Sequence, residues 1–451
     1  MDYDTIAAVS TPYGRGGISV IRISGSDAIE IADKVFRSKS GKTLADAPNR
    51  SINYGHIISN GEAIDEVLVS VMHAPHTFTA EDVVEINCHG GLYVTKAVLG
   101  AVYDAGARPA EAGEFTKRAF LNGRVDLTYA SSVMDMINAK TKLQHKMALN
   151  HLNGKLAERI RNIRENLMET AAYIQASFDF PEELDEAEDG KIEQSLKKAI
   201  SMMDNLLENA DKGIVAKEGI PTVIVGKPNV GKSSLMNLLA QCDRAIVTDI
   251  PGTTRDTIEE VVTVGNLMLK LTDTAGIRET GDTVESIGVE RAKSLAEVAE
   301  LVLFVVDCSK PLDDADMQIY NMVKDKNTVI IANKCDIAQN FDLPFEGDAI
   351  RFCAKSGDGL KELTDKIEQI YINGIEECTE SDTLLSGERE KDAVKKARTF
   401  TQNALNTVKI LSSDMAIDDI HSAANALNLI DGAEISDDII NTIFETYCVG
   451  K

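Results

Sequence analysis

The segment that most constrains the fold lies near the middle of the chain, where a short apolar run leads into a glycine-rich loop. The apolar run covers residues 222–225, and the loop at residues 226–233 matches the pattern G-x-x-x-x-G-K-[ST]. A helical stretch, residues 234–239, follows at once. In such a strand–loop–helix unit, the N–H groups of the loop and the helix N-terminus surround phosphate groups. The sequence therefore predicts a phosphate-binding α/β unit.

This unit is part of a longer α/β pattern. Apolar runs at residues 301–306 and 328–332 alternate with helical stretches, which predicts a parallel, doubly wound sheet between residues 214 and 377. In the loop, Lys232 is placed to reach the β- and γ-phosphate oxygens, and the Ser233 hydroxyl is placed to ligate Mg²⁺.

Four short segments further along the chain occur in the order typical of GTPases. They are Gly252-Thr-Thr-Arg-Asp256, Asp273-Thr-Ala-Gly276, Asn333-Lys-Cys-Asp336 and Cys353-Ala-Lys355. The Asp336 carboxylate can accept hydrogen bonds from N1–H and the 2-amino group of guanine, which adenine does not offer. We therefore expect GTP in preference to ATP, which argues against a P-loop ATP kinase.

Each segment has an expected task. Asp273 lies near Mg²⁺, the Gly276 N–H faces the γ-phosphate, and Thr254 is the second protein ligand of Mg²⁺ beside Ser233. The predicted GTP-binding residues are Asn229, Val230, Gly231, Lys232, Ser233, Ser234, Thr248, Asp249, Ile250, Pro251, Gly252, Thr253, Thr254, Asp273, Thr274, Ala275, Gly276, Asn333, Lys334, Asp336, Cys353, Ala354 and Lys355.

The residue that orients the attacking water is not evident from the motifs. Ras-like enzymes carry glutamine directly after the D-x-x-G glycine, whereas this chain has Ile277 there. Arg278, Glu279 and Glu285 are the nearby candidates, and spacing alone does not separate them from solvated loop charges.

The segments on either side of the α/β pattern predict a domain inserted into another domain. Residues 1–118 mix short strand-like runs with helical stretches, which predicts an α+β domain. Apolar residues at steps of three and four predict one helix from Leu149 to just before Pro181, a second over 192–210, and three more between Val394 and the C-terminus. We therefore predict a helical domain in two parts, 119–213 and 378–451, interrupted by a GTPase domain at 214–377.

Composition limits where the protein works and what it binds. Of the 451 residues, 47 are Lys or Arg and 72 are Asp or Glu, giving a net charge of −25, so any nucleic-acid partner needs positive charge supplied from elsewhere. The seven cysteines are scattered and form no C-x-x-C pair, which disfavours disulfides and zinc. The acidic start and the lack of a run of ~20 apolar residues predict neither a secretory signal nor a membrane span. We expect a cytoplasmic protein.

Ordered motifs along all 451 residues resemble the MnmE (TrmE) family of tRNA-modification GTPases. Outside the GTPase segments they are Thr11-Pro-Tyr-Gly-Arg-Gly-Gly17, Ile21-Arg-Ile-Ser-Gly25, Glu81-Asp-Val-Val-Glu85, His89-Gly-Gly91, Gly113-Glu-Phe-Thr116, Arg118-Ala-Phe-Leu-Asn122 and Tyr447-Cys-Val-Gly-Lys451. The resemblance implies a Ras-like P-loop GTPase domain inserted into a helical domain and preceded by an α+β, aminomethyltransferase-like domain that binds folate and forms a homodimer.

The resemblance also implies site residues. K⁺ would be held by Asn229, Thr248, Ile250 and Thr253 in place of an arginine finger, and Glu285 would position the water. A 5-formyl- or methylene-tetrahydrofolate would be bound by Arg22, Glu85, Arg124 and Lys451, where the family often has lysine instead of Arg124. Cys448 is either a thiol near the folate or a buried cysteine in a helical terminus, and His89 is either functional or a turn residue.

The implied partner is MnmG (GidA), a flavoprotein that uses FAD and NADH. The pair would add a carboxymethylaminomethyl or aminomethyl group to C5 of the wobble uridine of certain tRNAs, with no membrane involved. The alternative is a GTPase assembly or ribosome-associated factor whose N-terminal domain only dimerises. Folate binding would separate the two hypotheses.

Overall fold

A computed structural model describes residues 4–179, 189–242, 259–272, 299–337, 348–371, 384–432, 437–445 and 447–450. By compactness the chain divides into two units. The first consists of Met1–Met134 with Leu427–Lys451, and the second is Asp135–Ala426. The finer division predicted from the sequence, into four segments, stays a prediction.

The first unit is an α+β fold built on a seven-stranded sheet, as predicted. Its strands are β1 Ile6–Val9, β2 Ile18–Ser24, β3 Phe36–Ser38, β4 Ser51–Ser59, β5 Glu62–Met72, β6 Val83–His89 and β7 Arg108–Pro109. Its helices are α1 Ala28–Val35, α2 Leu92–Asp104, α3 Glu114–Leu121 and α14 Asp437–Glu445. The strand order is β3-β4-β5-β6-β2-β1-β7.

The two faces of this sheet differ because side chains alternate along each strand. One face packs with α1 and α2 into a core that includes Ile21, Val69 and Ile86. The other face carries the cross-strand pairs Arg22–Glu85 and Tyr54–Leu68. Tyr54 and Leu68 are 45% and 46% exposed, so much of this second face, which we call the open face, is apolar and uncovered within the unit.

A buried ion network holds α3 in place. Arg118, whose side chain is 3% exposed, lies 3.0 Å from Glu114 and 3.2 Å from Glu81. Burial alone would raise the pKa of Glu114, but hydrogen bonds from Arg108, the Glu111 backbone and Arg118 outweigh it and lower that pKa. The network fixes the helix that carries Phe115, which packs over Ile6 and Ala8 of β1.

The helices of the second unit agree with the predicted faces but break where one continuous helix was expected. They are α5 Lys142–Leu152, α6 Lys155–Asp179, α7 Asp189–Glu208, α8 Ala210–Glu218, α12 Glu388–Ile410 and a 3₁₀ turn Ser413–Ala416. The prediction of one helix from Leu149 is wrong, because Gly154 has φ of +75° and ends α5. Two helices cross the boundary between the units: α4 Leu127–Asn138 and α13 Ile417–Asp431.

The second unit also contains the predicted α/β sheet, in the order β13-β12-β11-β8-β10-β9. The strands are β8 Ile220–Val225, β9 Glu259–Val264, β10 Leu267–Thr272, β11 Leu301–Asp307, β12 Asn327–Asn333 and β13 Ile350–Arg351, all parallel except the edge strand β9. The helices are α9 Lys232–Cys242, α10 Asp314–Val323 and α11 Leu360–Tyr371. This is a Ras-like arrangement.

Two more predictions concern membranes and the C-terminus. In the described part of the chain, no helix combines the length and the apolarity that crossing a bilayer requires. The last helical face was expected to include Tyr447, but α14 ends at Glu445. The tail beyond it pairs with the first unit, through a bridge between Ala112 and Val449.

Candidate functional site

The glycine-rich loop lies between β8 and α9, where the sequence placed it. Gly226 has φ of +149°, and a Cβ there would come within 2.3 Å of the Val305 carbonyl oxygen, so only glycine fits. The Lys232 Nζ donates to the carbonyl oxygens of Gly226 and Lys227, each at 2.8 Å. The lysine therefore reaches over the loop from the first residue of α9, the position from which it can approach phosphate oxygens.

Asn333 joins this loop to the segments that are expected to recognise the base. Its side chain is buried, its Nδ2 donates to the Val230 carbonyl oxygen at 2.7 Å, and its Oδ1 accepts from the Ala354 N–H at 3.0 Å. Gly231 has φ of +106°, and a Cβ there would lie 2.1 Å from Asn333 Nδ2. The asparagine of N-K-x-D thus acts as a structural link between the first and last motifs.

Lys334 makes a second link. It has φ of +65°, and its Nζ donates to the Asn229 carbonyl oxygen at 2.8 Å and to Asp307 Oδ2 at 2.6 Å. Burial would raise the pKa of Asp307, but hydrogen bonds from Lys334 and Ser309 outweigh it and lower that pKa. Asp307 therefore stays ionised and holds the lysine against the loop.

Lys227 connects the loop to the start of α10. Its Nζ lies 2.7 Å from a carboxylate oxygen of Asp313 and 2.7 Å from one of Asp316. Burial lowers the pKa of Lys227, but the hydrogen bonds to these two carboxylates outweigh it and raise the pKa above its ordinary value. The contact stiffens the loop at the residue after its first glycine.

The segments expected to recognise the base lie at the carboxyl ends of β12 and β13. Asp336 and Lys355 are both exposed. Cys353 is buried and its N–H donates to the Asp358 carbonyl oxygen at 2.9 Å, so this residue serves the backbone of its turn. Ser233 and Ser234 are exposed in the first turn of α9.

Many predicted residues lie outside the described part of the chain. They are Thr248, Asp249, Ile250, Pro251, Gly252, Thr253, Thr254, Asp273, Thr274, Ala275, Gly276, Ile277, Arg278, Glu279, Glu285 and Lys451. The described residues that are brought together are those of the loop, of N-K-x-D and of Cys353-Ala354-Lys355.

A separate cluster forms on the open face of the first unit. Arg22 Nε and Nη2 donate to Glu85 Oε1 at 2.9 and 2.8 Å. Arg124 Nη1 donates to the Phe78 carbonyl oxygen at 2.8 Å, and its guanidinium carbon lies 5.2 Å from the centre of the Phe78 ring. Of the four residues implied for folate, Arg22 and Arg124 thus lie beside Phe78, and Glu85 is paired with Arg22.

The C-terminal tail lies in the same unit. A Cβ on Gly450 would come within 2.2 Å of the Val9 carbonyl oxygen, and Ser10 Oγ donates to the Gly450 carbonyl oxygen at 3.0 Å. Of the two alternatives for Cys448, a buried cysteine in a helical terminus is wrong, because Cys448 is exposed and follows the end of α14. The other alternative, a thiol near the folate, stays a prediction. The backbone carbonyl oxygens of Cys448 and Gly450 accept hydrogen bonds from the Gly113 N–H and Ser10 Oγ, and these bonds attach the tail to the unit.

His89 has a partner that the sequence did not reveal. The ring nitrogen Nδ1 of His89 lies 2.7 Å from Asp65 Oδ1, and the backbone N–H of His89 donates to Asp65 Oδ2 at 2.8 Å. The side chain is 70% exposed at the end of β6. Asp65 thus orients the ring at the point where the strand leads into Gly90.

Sequence reasoning also missed Asp307, Asp313, Asp316 and Phe78. The three aspartates could have been noticed, because Asp307 is the last residue of a buried strand and Asp313-x-x-Asp316 is a helix-capping pattern. No local pattern marks Phe78, whose importance depends on two arginines that are distant in sequence.

Two family models together match most of the chain. Residues 5–124 match the model of the GTP-binding protein TrmE N-terminus, and residues 127–448 match that of the MnmE helical domain. Among solved structures, the G domain of the T. maritima FeoB iron transporter is 27% identical, with a TM-score of 0.25, over 33% of this chain and 96% of that one.

Two curated relatives are similar over nearly their full lengths. The tRNA modification GTPase MnmE of Alkaliphilus metalliredigens (strain QYMF) is 43% identical over 463 residues, which cover 99% of each chain. The one from Lactococcus lactis subsp. cremoris (strain SK11) is 44% identical over 455 residues, covering 100% of this chain and 99% of the relative. With a family model matching residues 127–448 and this identity over the full length, the chain belongs to the MnmE (TrmE) family of tRNA modification GTPases.

Proposed function

We propose that this protein hydrolyses GTP and, with a flavoprotein partner, adds a carboxymethylaminomethyl or aminomethyl group to C5 of the wobble uridine of certain tRNAs. The observation that carries the GTP part is the attachment of Asn333 and Lys334 to the backbone of the phosphate loop, at Val230 and Asn229. This attachment ties the segment that carries Asp336, the residue proposed to select guanine, to the phosphate loop. The tRNA part follows from family membership.

The residues at the loop suit a magnesium–nucleotide complex. A Cβ at Gly226 would collide with Val305, and one at Gly231 would collide with Asn333, so the loop can take this conformation only with glycine at both positions. We propose that the N–H groups of the loop bind phosphate oxygens. Ser233 is exposed beside Lys232, and we propose it with Thr254 as the protein ligands of Mg²⁺. Mg²⁺ held there would neutralise phosphate charge, while Lys232 would bind the β- and γ-phosphates.

We further propose K⁺ at Asn229, Thr248, Ile250 and Thr253, and Glu285 as the residue that positions the attacking water. Asn229 is exposed, and its φ of +62° turns the loop at this residue. A cation beside the phosphates would offset the charge that develops in the transition state, as an arginine finger does.

Folate is proposed to bind at Arg22, Glu85, Arg124 and Lys451. The glutamate tail of folate is anionic and can pair with the arginines, while the pterin has N–H groups that can donate hydrogen bonds to a carboxylate. Among the described residues, no carboxylate lies within ion-pair distance of Arg124, so its charge remains available to a ligand. The one-carbon donor would be 5-formyl- or methylene-tetrahydrofolate.

The proposed assembly is a homodimer that works with MnmG (GidA) in the cytoplasm. The apolar open face around Tyr54 and Leu68 offers a surface for the second copy. With a net charge of −25, this chain suits a partner that carries FAD, binds NADH and supplies most of the positive charge for tRNA.

The experiment that tests this function is mass spectrometry of tRNA nucleosides from cells that lack the gene. We expect the aminomethyl-type wobble uridine to disappear and to return with the wild-type gene. A gene carrying Lys232→Ala should fail to restore it, whereas Lys324→Ala, which changes an exposed lysine of the same domain, should restore it. If the nucleoside persists without the gene, the alternative of an assembly or ribosome-associated factor is favoured.

A further inference from the structure

Phe78 lies where two cationic side chains meet on the open face. The guanidinium carbon of Arg22 is 4.9 Å from the centre of the Phe78 ring, and that of Arg124 is 5.2 Å from the same centre. Both distances are within the ~6 Å over which an aromatic ring attracts a cation. One ring therefore contacts both arginines.

The two guanidinium groups carry like charges and repel each other, so other contacts must hold both of them beside the Phe78 ring. Glu85 offsets the charge of Arg22, whereas Arg124 has no carboxylate within ion-pair distance among the described residues. Arg124 is also exposed, so its long side chain would sample many conformations in the absence of a contact. The contacts that restrain it are the Phe78 ring, the Phe78 carbonyl oxygen and, at 6.0 Å, the ring of Tyr129.

Phe78 itself is anchored in the fold. It is half-buried and packs against the cluster formed by Ile6, Ala8, Ala110 and Phe115. The Phe115 ring also lies 5.7 Å from the guanidinium carbon of Arg22. Phe78, held by this packing, thus lies beside both cations, and Phe115 lies beside Arg22.

We propose that Phe78 is a positioning residue, which holds the guanidinium groups of Arg22 and Arg124 ready for an anionic ligand with a planar heteroaromatic group. This inference rests on the proposed folate function. Because the ring restrains the arginines before the ligand arrives, less side-chain freedom is lost on binding, and affinity rises accordingly.

The test is calorimetric titration of the full chain with 5-formyl-tetrahydrofolate. We expect Phe78→Leu to weaken binding roughly tenfold, because two cation–ring contacts are lost. Phe78→Tyr keeps the ring and should bind within about twofold of wild type. The Arg124 guanidinium donates to the backbone carbonyl of residue 78, which both Phe78 variants keep, so their comparison isolates the ring.

A double-mutant cycle distinguishes positioning from a general effect on stability. In an Arg124→Gln background, Phe78→Leu should cause a clearly smaller loss of affinity, because one of the two cations that the ring holds is gone. Phe36→Leu is the matched control: it makes the same change at a buried core residue and should lower the melting temperature without changing folate affinity.

The outcomes separate the two proposals. If the wild-type chain binds no folate, the folate part of the proposed function is overturned, and the role of Phe78 with it. If the wild type binds and Phe78→Leu binds equally well, only the positioning role is overturned. An equal loss from Phe78→Leu with and without Arg124 would assign the effect to Arg22 or to direct contact, and would overturn the shared role.

Discussion

At the scale of single residues, the nucleotide site depends on two positions that only the assembled fold explains. Gly231 is the second glycine of the phosphate loop, and Asn333 comes about a hundred residues later, with its side-chain amide against that glycine. The Asn333 side chain is buried and hydrogen-bonded to Val230 and Ala354, so it cannot move away from a new side chain at residue 231. A glycine is required here for close packing as well as for its backbone conformation.

We predict that Gly231→Ala weakens GTP binding at least roughly tenfold. The new Cβ would overlap Asn333 Nδ2 and would also force an alanine into a left-handed conformation that costs about 1–2 kcal/mol. Titration with a fluorescent GTP analogue measures the effect. Gly154→Ala is the matched control, because that glycine also has positive φ but a Cβ there would have no neighbour within 4 Å. Equal affinities for the two variants would contradict the packing argument.

At the scale of elements, the α/β sheet and the helices of the second unit share a packed junction. Helix α8 leads directly into β8, and the returning chain at Leu384 and Leu385 lies against α8. The buried His151 of α5 donates from Nε2 to the Leu384 carbonyl oxygen at 2.8 Å, so α5 holds the same segment. Leu143 and Met147 of α5 belong to the sheet's own hydrophobic core.

We predict that Gly213→Ala lowers the melting temperature by several °C. Alanine is favoured over glycine within a helix by up to ~1 kcal/mol, but a Cβ at residue 213 would lie 2.1 Å from the Leu385 carbonyl oxygen. The backbone at Leu385 must move to make room for this Cβ, so the cost of the collision outweighs the gain in helix propensity. Thermal unfolding followed by circular dichroism provides the measurement. Gly100→Ala in α2 is the matched control and should be neutral or stabilising, because a Cβ there would have nothing within 4 Å. The same result for Gly213→Ala would contradict the prediction and show that the Leu385 backbone can move to accept the new Cβ.

At the scale of the whole molecule, hydrolysis is proposed to depend on a cation and on two copies of the chain. In this proposal, nucleotide binding depends on Lys232 of the described loop and on Asn333 and Lys334, which are hydrogen-bonded to that loop. Turnover is proposed to depend also on the switch segments, to which Glu285 and most of the proposed K⁺ ligands belong. Binding and turnover should therefore respond differently to the same change.

We predict that GTP turnover is roughly tenfold or more faster in K⁺ than in Na⁺ at equal ionic strength, since a fitted cation replaces the arginine finger. Glu285→Ala should keep GTP binding while losing most turnover, and Glu279→Ala is the matched control that should retain it. Phosphate release under saturating GTP measures the turnover of the wild type in each salt and of the two variants. Equal rates in the two salts would overturn the K⁺ proposal, and unchanged turnover in Glu285→Ala would return the water-positioning role to Glu279 or to no side chain.

The sequence by itself determined the order of motifs, the fold classes, the preference for GTP and the family. It could do so because the phosphate loop, N-K-x-D and the apolar residues at steps of three and four are local patterns whose physical meaning does not depend on distant residues. Only the tertiary structure decided how those patterns are joined: Asn333 behind Gly231, Lys334 between Asn229 and Asp307, Phe78 under two arginines. It also broke the predicted helix at Gly154 and exposed Cys448. Such contacts join residues far apart in the chain, so they depend on how elements pack and have no signature in any short segment.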